Sequence, residues 1–166
     1  VRYGNVINSR GSIAPLFRQQ RSSGEITITD TRMTRFWITL NQGVNFVVKC
    51  LSRMHGGEIF VPKIPSMKIT DVAKAIAPGC KVKIIGIRPG EKIHEVMITE
   101  DDAPNTLEFE DYFIIEPPHK WWNTEDYFQD TQYKRVPTDF SYSSRNNQSW
   151  LSVEEFKEMA STDRED

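Results

Sequence analysis

The sequence predicts an α/β fold, on three observations. Short runs with strand-type alternation or β-branched enrichment, at residues 1–6, 25–29, 58–61 and 81–87, are interleaved with runs whose apolar residues recur at helical spacing. The helical runs carry start and stop signals: Ser12, Thr39, Thr70 and Ser152 before them, and Gly24, Gly56-Gly57 and Pro78-Gly79 after the first three. Three runs, residues 1–12, 30–37 and 84–92, each leave an extended stretch and present Asn, Ser, Thr, Arg or Gly at its end. Open α/β sheets place ligand contacts there, outside the carboxyl ends of their strands. With arginines in all three, the expected ligand is a polyanion.

At 166 residues, 38% apolar and 27% charged with a net charge of −2, the chain has the balance of a soluble globular protein, long enough to bury a core. Basic residues are matched by acidic ones, which argues against a nucleic-acid protein. No apolar run reaches the roughly 18–20 residues that cross a bilayer, and no charged and apolar leader opens the chain, so no membrane partner and a cytoplasmic location are expected. Cys50 and Cys80 sit in apolar patterns without metal-type spacing and read as reduced, buried thiols. The chain opens without Met, directly on a strand-like run, as a fragment would.

In order, Val1 to Val6 reads as a strand that ends at Asn5, whose plain alternative to a ligand role is a turn bond to its own backbone. Ser12 caps a helix over residues 13–20; Pro15 is tolerated in the first turn because its missing N–H would be unpaired there. Ser22-Ser23-Gly24 stops the helix, and Glu25 to Thr29 forms a strand. Arg32 and Arg35 share a side if their segment is helical and face opposite ways if it is extended. For Arg32 the favoured reading is a surface ion pair with Asp30, worth about 0–1 kcal/mol. Thr39 and Gln42 form a capping box, and Leu40, Val44, Val47, Val48 and Leu51 then predict one buried helix face.

Beyond His55-Gly56-Gly57, residues 58–61 read as a strand and 67–69 as a short pairing strand. Thr70 and Asp71 start a helix to Ala77. Lys81 to Ile87 leads as a strand into Arg88-Pro89-Gly90-Glu91, where Pro89 sets φ and Gly90 permits a left-handed residue. That stiff turn holds Arg88 and Glu91 in a fixed relation; an Arg88–Glu91 ion pair is the alternative to ligand binding. Ile93, Val96 and Met97 read as one helical turn. Thr99-Glu100-Asp101-Asp102 reads as a solvated loop, since it lacks glycine-punctuated calcium-loop spacing.

Residues 106–115 read as a single aromatic and β-branched strand, ended by Pro117-Pro118. Residues 119–147 are expected to cover a surface or a neighbouring subunit, anchored by Trp121 and Trp122. Ser152 and Glu155, a second capping box, start a last helix that buries Val153, Phe156 and Met159. His55, His94 and His119 have no metal spacing and read as loop or helix-surface residues; no metal site is expected.

Several runs in this order resemble a known family: Arg-Tyr-Gly-Asn-Val at 2–6 with Ser-Arg-Gly-Ser at 9–12, Thr-Arg-Met-Thr-Arg-Phe-Trp-Ile-Thr-Leu at 31–40, Gly-Gly-Glu-Ile-Phe-Val-Pro-Lys at 56–63, and Gly-Ile-Arg-Pro-Gly-Glu-Lys at 86–92. They are similar to the C-terminal half of the UDP-N-acetylglucosamine 4,6-dehydratases, most of all the soluble C5-inverting type that starts pseudaminic acid biosynthesis. Those enzymes belong to the extended short-chain dehydrogenase/reductase superfamily. The resemblance spans residues 1 to about 151. It implies the C-terminal part of a Rossmann-type fold with the smaller substrate-binding subdomain, the dinucleotide-binding half being absent. Residues 1–118 would then be the substrate-binding half and 119–166 an irregular extension ending in a short helix.

The family reaction is redox-neutral: C4 of UDP-N-acetylglucosamine is oxidised with NADP, water is eliminated across C5 and C6, and hydride returns to C6. The resemblance implies substrate contacts at Asn5, Ile13, Arg35, Arg88 and Glu91, with Arg88 on the diphosphate and Glu91 on ribose hydroxyls. It implies NADP contacts at Val6, Ile7, Asn8, Ser9 and Arg10; family members often carry Gly where this chain has Asn8. The glycine-rich phosphate turn and the Tyr-x-x-x-Lys pair of the family are not in this chain, so no catalytic residue is expected in it. A full-length homo-oligomer is implied, and the isolated chain is expected to expose the face that packs on the missing half. A retaining dehydratase, a UDP-sugar 4-epimerase or a non-catalytic sugar-nucleotide-binding remnant are the alternatives.

Overall fold

A computed structural model of the chain describes residues 1–119 and 132–162. Within it the chain forms two units, each assembled from separated segments: Gly4–Gly43 with Ile64–Glu95 and Ser144–Asp166, and Val1–Tyr3 with Val44–Lys63 and Val96–Ser143.

The first unit holds β1 (Asn5–Val6), α1 (Ile13–Arg21), β2 (Glu25–Ile28), β3 (Thr34–Ile38), β5 (Ser66–Lys68), α3 (Ile69–Ile76), β6 (Lys81–Ile84) and α4 (Val153–Thr162). β1 runs parallel to β3 with Asn5 opposite Trp37, and β3 is antiparallel to β5 with Arg35 opposite Met67. β2 and β6 form a separate parallel pair, Glu25 opposite Lys81 through Ile28 opposite Ile84. The core between them is Ile7, Phe17, Ile26, Ile28, Met33, Trp37, Met67, Val72 and Phe156 with their neighbours. Phe156 meets Trp37 edge-on at 5.0 Å between ring centroids, an arrangement that adds to the area both rings bury. The last helix is thus part of this core, with Phe156 and Ala160 buried and Val153 and Met159 packed against it.

The second unit holds β4 (Ile59–Pro62), β7 (Val96–Ile98), β8 (Thr106–Glu108), β9 (Tyr112–Ile115), β10 (Lys134–Arg135) and β11 (Tyr142–Ser143). Its four-stranded antiparallel sheet has the order β10-β8-β9-β4, and β11 pairs with β7. Cys50, Phe60, Leu107, Phe109 and Ile114 form its core, where the Phe109 and Tyr112 rings stack at 4.7 Å.

Local signals are met where both partners are close in sequence. In the box that opens α2 (Leu40–Leu51), the Thr39 N–H donates to Gln42 Oε1 and the Gln42 N–H to Thr39 Oγ1. The same reciprocal pair opens α4 between Ser152 and Glu155. Ser12 stands at the N-cap of α1 in extended conformation but makes no capping bond.

Six expectations are corrected. The leading strand is only Asn5–Val6. Residues 106–115 are two strands, because Glu110 and Asp111 lie in a turn that the Phe109 N–H closes onto the Tyr112 carbonyl. Residues 93–98 are extended, not helical: His94 bridges Thr34, and β7 pairs with β11. The described part of 119–147 completes two sheets and buries Val136, Tyr142 and Ser144; Trp121 and Trp122 lie outside the described residues. On α2 the predicted core stripe faces solvent, with Leu40 56%, Val44 51%, Val48 59% and Leu51 63% exposed, while Gly43 and Cys50 are buried. Cys80, for its part, is half-buried, unlike Cys50.

Candidate functional site

The site is built on segment 88–95 and the strands that hold it. β6 delivers the chain into the turn, which closes through a bond from the Glu91 N–H to the Arg88 carbonyl at 3.0 Å, with Gly90 at φ 80°. Glu91 Oε2 accepts from the Arg88 N–H at 3.1 Å and Oε1 from the Thr29 hydroxyl at 3.1 Å. A carboxylate offers about four acceptor positions, so fixing it with two donors leaves room for two more. The Arg88–Glu91 contact is made through the Arg88 backbone. The Arg88 guanidinium is exposed and makes no hydrogen bond or ion pair among the described residues.

Arg35 is different. Its side chain is 11% exposed. One terminal nitrogen donates to the carbonyls of Thr34 (2.8 Å) and Ile93 (2.9 Å); the other donates to the Lys92 carbonyl (2.8 Å) and the Met33 sulfur (3.7 Å). Nε lies 3.4 Å from Glu95 Oε1. A guanidinium has five N–H donors; four of them are bonded to protein atoms, and the nitrogen of the fifth is ion-paired with Glu95. Arg35 therefore clamps segment 92–95 to β3, and Arg88 is the guanidinium open to a ligand. Arg32, also in reach of the site, is paired with Asp30 through two parallel bonds of 2.9 and 2.8 Å, as its sequence neighbourhood indicates. That pairing draws the Asp30 carboxyl down to about 2.

Sequence reasoning missed three residues here. The Thr34 hydroxyl, buried, lies 2.8 Å from His94 Nδ1 and 2.7 Å from the Ser144 hydroxyl. Ser144 Oγ donates to the Thr34 carbonyl at 3.0 Å and accepts from the Glu95 N–H at 3.0 Å. Burial pushes His94 below its ordinary value, and Arg145, Arg35 and Arg32 push it the same way, against Asp30. Ser144 is separated from Thr34 by 110 positions, and no local pattern announces that pairing.

The opening run joins this site through the pairing of β1 with β3. Asn5 is half-buried beside Trp37, and its carboxamide makes no hydrogen bond among the described residues, so a turn bond to its own backbone is not formed. Ile13 begins α1, partly buried against the core. In the loop after β1, the Ile7 side chain is in the core and its N–H is bonded to Ile38, so Ile7 faces inward. Val6 is half-buried, and Ser9 and Arg10 are exposed.

Asn8 has φ 64°, the left-handed conformation that glycine adopts freely and Asn tolerates best among other residues. Its Nδ2 donates to the Ala160 carbonyl of α4 at 3.1 Å. Asn8 Oδ1 and Ser12 Oγ are buried without a partner, and buried polar atoms in native proteins are normally satisfied. Each has a bonding position that a polar group, such as the carboxamide end of a nicotinamide dinucleotide, would satisfy. With no glycine-rich phosphate turn in the chain, the fit extends to that end alone. Among the described residues no group of three or more His, Cys, Asp or Glu is gathered as metal ligands, and no helix is long and apolar enough to cross a membrane.

The family model described as polysaccharide biosynthesis protein matches residues 1–117. The chain belongs to that family. Within it, the chain is 54% identical to the UDP-N-acetylglucosamine 4,6-dehydratase (inverting) of Campylobacter jejuni serotype O:2, over 95% of this chain and 49% of that protein. A second Campylobacter jejuni dehydratase of the same description is 52% identical over the same shares. The UDP-glucose 4-epimerase of Rickettsia canadensis is 37% identical over 97% of this chain and 48% of its own length. Among solved structures, Pen from Bacillus thuringiensis superposes with a TM-score of 0.78 at 32% identity, over 96% of this chain and 48% of that one. The chain spans about half the length of these relatives, and the α/β fold expected for a C-terminal part is the one it shares with Pen.

Proposed function

We propose that this chain provides the UDP-sugar-binding part of an NADP-dependent, C5-inverting UDP-N-acetylglucosamine 4,6-dehydratase, a homo-oligomeric cytoplasmic enzyme of pseudaminic-acid-type glycan synthesis. The observation that carries this reading is the 54% identity to an inverting dehydratase along 95% of the chain, against 37% to an epimerase.

The site's chemistry agrees with it. Arg88, exposed on a rigid turn, supplies a planar fork of charged donors to a diphosphate. Glu91, held by Thr29 and the Arg88 N–H, has acceptor positions left for ribose hydroxyls. Asn5 offers an unengaged carboxamide to the sugar nucleotide, with Ile13 as a further substrate contact. Arg35 acts by holding segment 92–95 in place. Val6, Asn8, Ser9 and Arg10 would border the nicotinamide end, Asn8 and Ser12 with their buried polar atoms, while Ile7 anchors that loop in the core. When bound, the dinucleotide supplies hydride acceptance and return. The acid and base groups of the reaction would lie outside this chain, as the family resemblance implies.

The test joins this chain to the N-terminal half of the Campylobacter jejuni dehydratase and supplies NADP and UDP-N-acetylglucosamine. Release of a 4-oxo-6-deoxy nucleotide sugar is expected. No turnover of that sugar, together with interconversion of UDP-glucose and its C4 epimer, would replace this reading with the epimerase one.

A further inference from the structure

The hydrogen bonds around Ser144 determine the state of His94 by proton counting. Ser144 has one hydroxyl proton, and the Thr34 carbonyl at 3.0 Å can only accept it. The Glu95 N–H donates to Ser144 Oγ. The 2.7 Å contact between the two hydroxyls is then a bond only if Thr34 donates to Ser144. Thr34 Oγ1, its proton used, must accept from His94 Nδ1 at 2.8 Å. This is the assignment in which every contact is a hydrogen bond. It places a proton on Nδ1 and leaves Nε2, which makes no hydrogen bond among the described residues, as the free position of the ring.

Arg145 follows Ser144 directly in the chain. It is exposed and has no hydrogen bond or ion pair among the described residues; its chain neighbour Ser144 is joined to the ring through the Thr34 hydroxyl, and its charge acts on the imidazole. The other charged groups that face His94 are already matched: Arg32 with Asp30, and Arg35 with Glu95 and the carbonyls it clamps. Of the charged groups named here among the described residues, the unmatched positive charge is Arg145.

We propose that His94 Nε2 and Arg145 form an anion subsite on the segment that carries Arg88, in which the imidazole takes up a proton from solvent as a phosphate group arrives. The Nδ1 bond to Thr34 holds in both protonation states, so the ring is fixed while Nε2 changes from acceptor to charged donor. A neutral ring in a basic surrounding stays neutral until an anion offsets that surrounding, which is why uptake is coupled to binding. The proposal rests on the nucleotide-sugar reading for the identity of the phosphate and on the hydrogen bonds above for its place.

The experiment follows the His94 ring of the 166-residue chain by NMR over a pH series, alone, with inorganic pyrophosphate and with UDP. In the free protein, nitrogen shifts should show Nδ1–H as the neutral tautomer. Pyrophosphate should move the His94 titration upward and bind several-fold more tightly on the acid side of neutrality. Arg145→Ala should weaken that binding and raise the titration in the free protein, and His94→Gln should remove the pH dependence of binding. If pyrophosphate does this and UDP does not bind, the subsite stands and the nucleotide reading falls. If UDP binds while neither ligand moves the His94 titration, the subsite is overturned and the nucleotide reading stands. Failure of both ligands to bind overturns both.

Discussion

Helices α2 and α3 look alike in sequence and end differently in the structure. Each carries apolar residues at helical spacing and polar residues between them. On α3 that face is covered: Ile69, Val72, Ala73, Ala75 and Ile76 are buried, in contact with α1, β2, β5 and α4. On α2 the stripe of Leu40, Val44, Val48 and Leu51 is more than half exposed, and the buried positions are Gly43 and Cys50. Periodicity says that a face favours cover; it does not say that the cover lies in the same chain segment. Four such residues along one face are unusual as isolated surface apolar groups.

The contrast can be broken experimentally, starting with the largest effect. Phe156→Ala removes the ring that packs on Trp37 in the core shared with α3 and should cost about 3–5 kcal/mol in denaturant unfolding. A cost below about 1 kcal/mol would mean that α4 is not docked. Gly4→Ala comes next. A Cβ there would fall against the Phe36 side chain and 2.8 Å from its carbonyl oxygen, so β1 must shift from β3. A loss of about 1–3 kcal/mol is expected, and an unchanged midpoint would contradict the close pairing of β1 and β3.

Thr39→Ala removes one half of the α2 capping box and should cost about 1 kcal/mol even though the helix's apolar stripe is uncovered. The smallest effect on stability belongs to Val48→Ser with Leu51→Ser, within about 0.5 kcal/mol each. This pair should lower self-association of the chain in sedimentation experiments. A loss of several kcal/mol would show that the stripe is internal core after all.

What was legible in the sequence divides along the same line as these helices. Both capping boxes and the Asp30–Arg32 pair were readable because donor and acceptor lie two or three residues apart. The Arg88–Glu91 turn was readable because Pro89 and Gly90 state its backbone. The hairpin inside 106–115 was hidden because Glu110 and Asp111 interrupt an otherwise unbroken aromatic and β-branched run too briefly to read as a turn. Arg35 is a ligand contact only as the family resemblance implies it, and no local pattern says what else it holds. Its commitment to the Lys92 and Ile93 carbonyls, 57 and 58 positions away, depends on a fold that brings segment 92–95 beside β3. His94 and Ser144 carried no signal at all, since a lone histidine and one serine in a polar stretch acquire meaning only once Thr34 stands between them.

Acid conditions bear on the same distinction. Arg2 and the Thr99 turn hold the Asp102 carboxyl below its ordinary range against the opposing effect of burial, and Lys63 and Lys134 do the same for Glu108. Groups with depressed values in the fold contribute stability that is complete above their unfolded values and is lost as pH falls through their folded ones. The second unit, which contains both, should therefore lose stability as pH falls below about 4, the range of ordinary carboxylates.

The most direct measurement is a calorimetric titration of UDP into the chain and into its Arg88→Ala variant. Saturable binding to the former is expected, weakened by about tenfold or more in the variant, since a hydrogen bond to a charged group is worth about 1.5–3 kcal/mol. Equal affinity in the two proteins, or no UDP binding by the folded chain, would contradict the assignment of the Arg88 turn as the nucleotide grip.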